Sequence, residues 1–189
     1  MDRRRLLAAG AALGLGPAAA PAAFDTRSPG LVVMLRHAIT EPGIGDPPGF
    51  RLDDCRSQRN LSAEGRLQAQ RLGERLAAQG LRPTRVRSSR WCRCLDTARL
   101  AFGSVEPWPA LDSFFDDRSG EPAQTAQLRE ALVALAPGEV QAWVTHQVNI
   151  SALTGEGTAM GEALVLRGER QRDGSVRVLR LGRLDAGRG

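Results

Sequence analysis

Apolar positions along the chain follow two patterns, short continuous runs and helical spacing. Residues 31–35 form a continuous apolar run, which is typical of a strand buried on both faces. Residues 141–144 are predicted as a second strand. Between them, leucines recur at helical spacing from Leu67 to Leu76, behind Ser62, a good helix N-cap residue. The chain therefore alternates strands with helices.

The remaining elements follow from weaker signals. We predict a short strand near Val86, helices over about 90–102 and 122–136, loops over 40–59 and 104–122, and a closing hairpin of 162–167 and 175–181. Strands that alternate with helices predict an α/β fold in which helices cover both faces of a mostly parallel sheet. No internal repeat or domain linker is visible.

The N-terminus has the pattern of an export signal. Arg3–Arg5 are basic, residues 6–15 are apolar, and Ala20-Pro21-Ala22 is a small-x-small cleavage pattern. We predict a signal peptide over 1–23, a single mature domain over 24–189, and a periplasmic or secreted location. The arginine pair resembles a twin-arginine signal, and the general export route stays open. A disordered terminus and an uncleaved anchor are the alternatives.

Composition narrows the function classes. All 26 basic residues of the 189 are arginine, a side chain that grips phosphate with its planar fork. The net charge of +5 is scattered and only 4% of residues are aromatic, so nucleic-acid binding has little support. Of the three cysteines, Cys55, Cys92 and Cys94, we favour a Cys55–Cys92 disulfide, and other pairings stay open. Two closely spaced cysteines and two histidines make a poor zinc set.

Both histidines of the chain, His37 and His146, directly follow a predicted buried strand. In open α/β sheets, ligand sites collect at the carboxyl ends of the strands. Arg36 precedes the first histidine and adds a group suited to binding an anion. The pair therefore predicts a site for an anionic ligand at this edge of the sheet.

Four segments in order carry a resemblance to a known family. They are Leu35-Arg36-His37-Ala38, Asn60–Gly65, Ser88–Ala98 and Val144-Thr145-His146. They resemble the Arg-His-Gly motif, the Leu-Ser/Thr-x-x-Gly segment, the Ser-Ser-x-x-x-Arg-Ala-x-x-Thr-Ala helix and the second-histidine strand of the histidine phosphatase (phosphoglycerate mutase-like) superfamily. Each match is short, but their ordered combination over about 31–155 is specific.

The resemblance implies a three-layer α/β/α sandwich and a phosphate pocket without metal or cofactor. His37 would be the nucleophile that becomes phosphorylated. Arg36 and Arg93 would clamp the phosphoryl oxygens, and His146 would be a further donor. The implied partner is a small phosphorylated substrate. A surface position is the alternative for Arg93.

The proton donor is not evident from the sequence. Ser113 occupies the position at which mutase-type members of the family carry a glutamate, and Gln147 the position at which the acid phosphatase branch carries an aspartate. The candidates left are Asp112, Asp116 and Asp117, of which Asp112 is nearest the motif position, with Phe114 and Phe115 as shielding from water. Solvated acidic loop residues are an equal alternative, and a substrate with a good leaving group would need no acid.

Other positions near the motifs lead to smaller expectations. Ala38, in place of the family's glycine, is expected to narrow the pocket slightly, and Cys94 to pack on a helix face. Gln147 and Asn149 open a predicted helix whose N-terminal amides would face phosphate, and their side chains would then be polar contacts near the site. Further arginines of the site loops could contact an anionic substrate, without a ranking among them: Arg51, Arg56, Arg59 and Arg90.

The sequence thus predicts an exported phosphomonoester hydrolase of the small bacterial branch of the family. A sugar phosphate or a lipopolysaccharide-core phosphate is the suggested substrate. A non-catalytic anion-binding protein that retains the pocket is the second hypothesis. A metal or redox protein built on Cys92 and Cys94 is the third. We expect no stable membrane insertion after signal removal, and the sequence does not indicate an oligomeric state.

Overall fold

The computed structural model describes residues 30–185, so the predicted signal segment 1–23 lies outside the described residues. These residues form six strands and four α-helices, in a chain order that alternates strand and helix up to the closing hairpin. The strands are β1 Leu31–Arg36, β2 Arg85–Ser88, β3 Glu106–Pro107, β4 Val140–Thr145, β5 Ala163–Arg170 and β6 Val176–Leu184. The helices are α1 Ala63–Ala78, α2 Cys92–Phe102, α3 Glu121–Val133 and α4 Gln147–Thr154.

One six-stranded sheet with the order β3-β2-β4-β1-β5-β6 forms the middle layer. The four strands from β3 to β1 run parallel, whereas β5 and β6 are antiparallel to their neighbours. Every residue of β4 is buried, as are the five apolar residues of β1. This agrees with the prediction of strands covered on both faces.

The alternation of side chains along β1 divides the core into two layers. Leu31, Val33 and Leu35 pack with residues of α1 and α2, whereas Val32 and Met34 pack with residues of α3 and α4. Successive side chains of a strand point to opposite faces, so a continuous apolar run serves both layers. The predicted three-layer α/β/α sandwich with a mostly parallel sheet is confirmed.

Local signals explain where the helices begin and end. The side chain of Ser62 accepts the amide of Gly65 at 3.1 Å and caps α1, as predicted. Gly103 and Gly155 end α2 and α4 in the left-handed conformation that favours glycine. The structure corrects two details: α3 ends at Val133 rather than at 136, and the predicted loop 104–122 contains the short strand β3.

Segment 40–59 is a structured loop packed against the start of α2. A disulfide joins Cys55 to Cys92, the first residue of α2, which is the pairing that the sequence favoured. The Gln58 side chain accepts the Cys92 amide at 2.9 Å and donates to two carbonyls of the loop. Because the disulfide uses Cys92, the hypothesis of a metal site on Cys92 and Cys94 loses one of its two ligands. Only Cys94 is free among the described cysteines.

No helix within residues 30–185 is long and apolar enough to cross a bilayer. The same residues contain no group of three or more histidine, cysteine or acidic side chains arranged to hold a metal ion.

Candidate functional site

The sheet topology brings the two histidines together. β1 and β4 are parallel neighbours in which Arg36 pairs with Thr145, so His37 and His146 leave the sheet side by side. Their ring centroids lie 5.5 Å apart. The Ser88-Ser89 turn at the end of β2 lies at the same edge, because Ser88 pairs with Val144. The edge of the sheet that the sequence predicted as a ligand site is therefore where the motif residues meet.

A cavity of about 300 Å³ opens at this edge. Four of the five predicted site residues line it: Arg36, His37, Arg93 and His146. The other lining residues are Gly43, Ile44, Gly45, Arg59, Ser113, Phe115, Gln147, Val148 and Met160. This lining contains arginines and histidines but no carboxylate, so the cavity is suited to an anion.

His37 is a buried, neutral imidazole with one nitrogen free for reaction. Nδ1 lies 2.9 Å from the carbonyl oxygen of Ala38, and a carbonyl only accepts, so Nδ1 carries the proton. Burial and the nearby charges of Arg93 and Arg36 lower the pKa of His37 to about 3, although the Ala38 hydrogen bond opposes the shift. Nε2 has no hydrogen-bond partner among the described residues, which leaves a lone pair at the cavity.

A chain of side chains holds His146 at its Nε2 atom. Its Nε2 lies 2.9 Å from the hydroxyl of Ser89, which lies 3.4 Å from an oxygen of Asp112. The thiol of Cys94 lies 3.4 Å from the same nitrogen, and burial raises the pKa of that thiol to about 12. Burial and the charge of Arg93 place the pKa of His146 well below its ordinary value. Cys94 thus packs beside the site as an uncharged thiol.

Three arginines surround the cavity, and each lies in the field of the others. Burial together with the charges of Arg59 and Arg93 lowers the pKa of Arg36. Burial and the charge of Arg93 likewise lower the pKa of Arg59. The Nε atoms of Arg36 and Arg93 are buried and have no hydrogen-bond partner among the described residues. A buried donor without an acceptor is costly, and a phosphoryl group is an acceptor that would satisfy it.

Asp46 is a functional candidate that the sequence reasoning missed. Its two oxygens accept Nη1 and Nη2 of Arg93 at 2.7 and 3.0 Å, and it also accepts the indole N–H of Trp91 and the amide of Arg59. Burial alone would raise the pKa of Asp46, but the hydrogen bonds from Arg93 and Arg59 lower it overall. Both partners of the Asp46–Arg93 pair are almost fully buried. Asp46 therefore fixes the orientation of Arg93.

Asp112 does not line the cavity. One of its carboxylate oxygens accepts the backbone amide of Arg90 at 2.8 Å, and the other accepts Nε of Arg90 at 2.7 Å. Both carboxylate oxygens are thus engaged by Arg90 and the residue lies outside the cavity lining, so this geometry does not fit the predicted general acid. The other two acid candidates are also outside the lining, because Asp116 and Asp117 are exposed on the loop and Asp117 accepts hydrogen bonds from Ser119.

One further expectation is corrected. Ala38 is fully buried in a small cluster with Leu61 and Ala69, so its methyl group fills the core rather than narrowing the cavity. Gln147 lines the cavity, and its side-chain amide accepts hydrogen bonds from Thr158 and donates to Ser151 and to the carbonyl of Glu156.

The remaining predicted contacts are placed as follows. Asn149 is buried and donates to the carbonyl of Asp112 at 2.8 Å. His146 caps α4, so the start of this helix does lie at the cavity as predicted. Of the four arginines that the sequence left unranked, Arg59 alone lines the cavity. Arg51 and Arg56 pair with nearby aspartates, and Arg90 holds Asp112.

The fold and this constellation of two histidines and two arginines define the class of protein. Residues 32–159 match the family model of the histidine phosphatase superfamily, branch 1, and the chain belongs to that family. A search for curated relatives of the sequence found no significant match.

Solved structures of phosphatases share the fold at low sequence identity. A mycobacterial glucosyl-3-phosphoglycerate phosphatase in complex with inorganic phosphate is similar with a TM-score of 0.60 and 20% identity, over 82% of this chain and 98% of that one. The protein histidine phosphatase SixA complexed with tungstate has a TM-score of 0.56 and 16% identity, over 82% and 97% of the two chains. The family assignment and these neighbours support a phosphatase enzyme.

Proposed function

We propose that the chain is a phosphomonoester hydrolase that works through a phosphohistidine at His37 on a phosphorylated substrate outside the cytoplasm. The observation that carries the proposal is the free Nε2 of a neutral imidazole at the floor of a cavity lined by arginines. A neutral imidazole has the lone pair that attack on phosphorus requires. Because the pKa of His37 is lowered to about 3, this form persists throughout the physiological range.

The reaction has two displacements at phosphorus. Nε2 of His37 forms a bond to phosphorus while the ester P–O bond breaks and the alcohol oxygen leaves. Arg36 and Arg93 stabilise the charge that spreads over the phosphoryl oxygens, and His146 donates a further hydrogen bond as the imidazolium, a form that the negative charge of the phosphoryl group favours. Water then attacks phosphorus, breaks the P–N bond and releases inorganic phosphate. Positive side chains supply the stabilisation throughout.

The site has no evident donor for proton transfer to the leaving group. No Asp or Glu is among the residues that line the cavity, and Asp112 is paired with Arg90. We therefore assign Asp112 a positioning role through Ser89 and His146. Hydrolysis without a carboxylic acid favours substrates whose leaving group departs without protonation.

The location outside the cytoplasm is supported by two independent features. The sequence pattern of 1–23 is that of an export signal. The Cys55–Cys92 disulfide is of a kind that persists in oxidising compartments. A sugar phosphate or a lipopolysaccharide-core phosphate remains the substrate suggested by the sequence.

A second candidate function is non-catalytic anion binding. It is favoured by the Asp46 carboxylate, which already uses both terminal nitrogens of Arg93, and by the lining without a carboxylate. Such a protein would bind phosphate at the arginines without turning over an ester.

Hydrolysis of p-nitrophenyl phosphate between pH 4 and 8 separates the two functions. We expect turnover by the full chain, and an acid-labile phosphoenzyme after rapid quenching. His37→Ala should abolish both, whereas Asp117→Asn, an exposed change outside the lining, should retain both. Turnover that survives His37→Ala would contradict the assigned nucleophile. Phosphate binding by calorimetry without turnover would favour the binding protein.

A further inference from the structure

The cavity has a cationic floor and an apolar rim. Beyond the arginines and histidines, the large side chains that line it include Ile44, Phe115, Val148 and Met160. Ile44 is 90% exposed and Phe115 is 54% exposed, and both rank among the four large apolar side chains that the described residues leave exposed. Large apolar groups that are exposed together beside a cavity are typical of a binding surface.

Ile44 is presented by a turn that is held firmly in place. The glycines on either side have positive φ values, 133° at Gly43 and 68° at Gly45, a conformation that favours glycine. Arg59 donates from Nη1 to the carbonyl of Gly43 at 2.9 Å and from Nε to the carbonyl of Gly45 at 2.8 Å. The next residue, Asp46, is paired with Arg93. The position of Ile44 at the rim is therefore part of the fold.

Phe115 completes the rim beside this turn. A Cβ atom placed on Gly45 would lie 3.9 Å from its ring. The adjacent Phe114 is buried, with the Arg118 guanidinium over its ring, which anchors the loop from which Phe115 projects.

Two neutral polar side chains of the lining, those of Gln147 and Ser113, already take part in hydrogen bonds within the protein. Both amide atoms of Gln147 are engaged, the oxygen by Thr158 and the nitrogen by Ser151. The hydroxyl of Ser113 accepts the amide of Phe115 at 3.2 Å. Recognition of a sugar depends on hydrogen-bonding groups placed to meet its hydroxyls. With Gln147 engaged, this lining provides few neutral groups of that kind, so it does not favour the sugar phosphate that the sequence suggested.

We propose that the preferred substrates are phosphate monoesters whose leaving group is an apolar aryl alcohol, acidic enough to depart without protonation, with the phosphate on the arginines and the aryl group between Ile44 and Phe115. This inference rests on the proposed function. The P–O bond breaks as the P–N bond to His37 forms, and the departing oxygen takes its proton from water. An apolar rim rather than a carboxylic acid then accounts for selectivity.

A substrate series tests the rim on the full chain. Phenyl, 2-naphthyl and 4-(hydroxymethyl)phenyl phosphates have leaving groups of similar acidity but different apolar surface. We expect kcat/KM for 2-naphthyl phosphate to exceed that of the other two by about tenfold, the range of discrimination in an apolar pocket. Ile44→Ser and Phe115→Ser should each lower this preference. Leu67→Ser removes an exposed apolar side chain of α1 that does not line the cavity. This variant should keep the preference for 2-naphthyl phosphate.

Equal kcat/KM values, or a preference that both rim variants retain, would overturn the inference while leaving the phosphatase proposal standing. Absence of turnover with all three esters would instead contradict the proposed function. In that case the dissociation constants of 2-naphthylmethylphosphonate and methylphosphonate still test the rim, because binding needs no turnover. Tighter binding of the naphthyl compound that Phe115→Ser removes supports the apolar rim, and equal binding refutes it.

Discussion

The hydrogen bonds of Asp112 support a different role from the one that its place in the sequence suggested. In the chain it is the aspartate nearest the position where mutase-type relatives carry an acid. In the structure its carboxylate is held by Arg90 and contacts the Ser89 hydroxyl that reaches His146. A carboxylate that acts through a hydroxyl on an imidazole orients the ring and favours its charged form. A general acid would act on the leaving group itself.

Leaving-group dependence distinguishes the two roles. For Asp112→Asn we expect kcat to fall by about tenfold with every aryl phosphate, so that the dependence of rate on leaving-group acidity keeps the wild-type slope. Ser89→Ala should behave in the same way, and both should displace the pH profile of kcat. The exposed Asp116→Asn serves as the control that changes neither. A steeper slope in Asp112→Asn alone would restore Asp112 as the proton donor.

Asp46 shows why part of the site was not predictable. The motif positions of His37 and Arg93 stand next to recognisable strand and helix signals. Asp46 lies in a loop of Gly, Pro and Asp, 47 positions before the arginine that it binds. Nothing local to Asp46 indicates that partner, because the contact exists only once the loop has folded over α2. The same holds for Arg59, which the sequence named with three other arginines and could not rank.

At the scale of elements, Gly65 links helix α1 to the segment that follows the nucleophile. The sequence matched it to the glycine of a family motif, and the structure gives the physical reason. A Cβ atom at this position would lie 1.8 Å from the carbonyl oxygen of Ile39, two residues after His37. The same carbonyl accepts the amide of Ser62, the N-cap residue of α1. Glycine therefore allows α1 to start against the loop behind the site.

The sign of the change in the free energy of unfolding caused by Gly65→Ala distinguishes the effect of packing from that of helix propensity. Propensity alone predicts a gain of about 1 kcal/mol in the free energy of unfolding, since alanine is the better helix former. The contact with a backbone carbonyl predicts a net loss of about 1–3 kcal/mol, because the backbone must shift to admit the methyl group. We expect the loss, with a lower kcat, in thermal unfolding and steady-state assays. Gln70→Ala, at an exposed position of the same helix, should cause neither. A stabilised Gly65→Ala would show that α1 adjusts freely.

The elements themselves were the most predictable part of the molecule. The apolar run of β1 packs both layers of the core, and this double burial is what a run without polar interruptions indicates. The start of α1 at Ser62 was likewise visible from its capping side chain. The two-residue strand β3 was missed, since Glu106 and Pro107 are exposed and carry no apolar pattern. Its pairing depends on β2 being in place.

At the scale of the whole molecule, one disulfide joins the loop 40–59 to helix α2, the two elements that carry Asp46 and Arg93. Cys55 belongs to the segment that carries Asp46 and Arg59, and Cys92 directly precedes Arg93. The bond closes a separation of 37 residues. A loop of this length corresponds to a stabilisation of about 4 kcal/mol in the chain-entropy description of disulfides. Its loss would free the loop that holds the Arg93 guanidinium in position.

Reduction should therefore lower both stability and phosphate affinity. With dithiothreitol we expect the Tm to fall and the KM for p-nitrophenyl phosphate to rise, because the loop no longer fixes Arg93. The Cys55→Ser/Cys92→Ser variant should show these values without reductant and should not respond to it, which excludes an effect through Cys94. Protein made in a reducing cytoplasm should begin in the weaker state and gain affinity on oxidation. A Tm and KM that reduction leaves unchanged would contradict this link between the oxidising compartment and the site. The proposed export of the chain would then rest on the sequence of residues 1–23 alone.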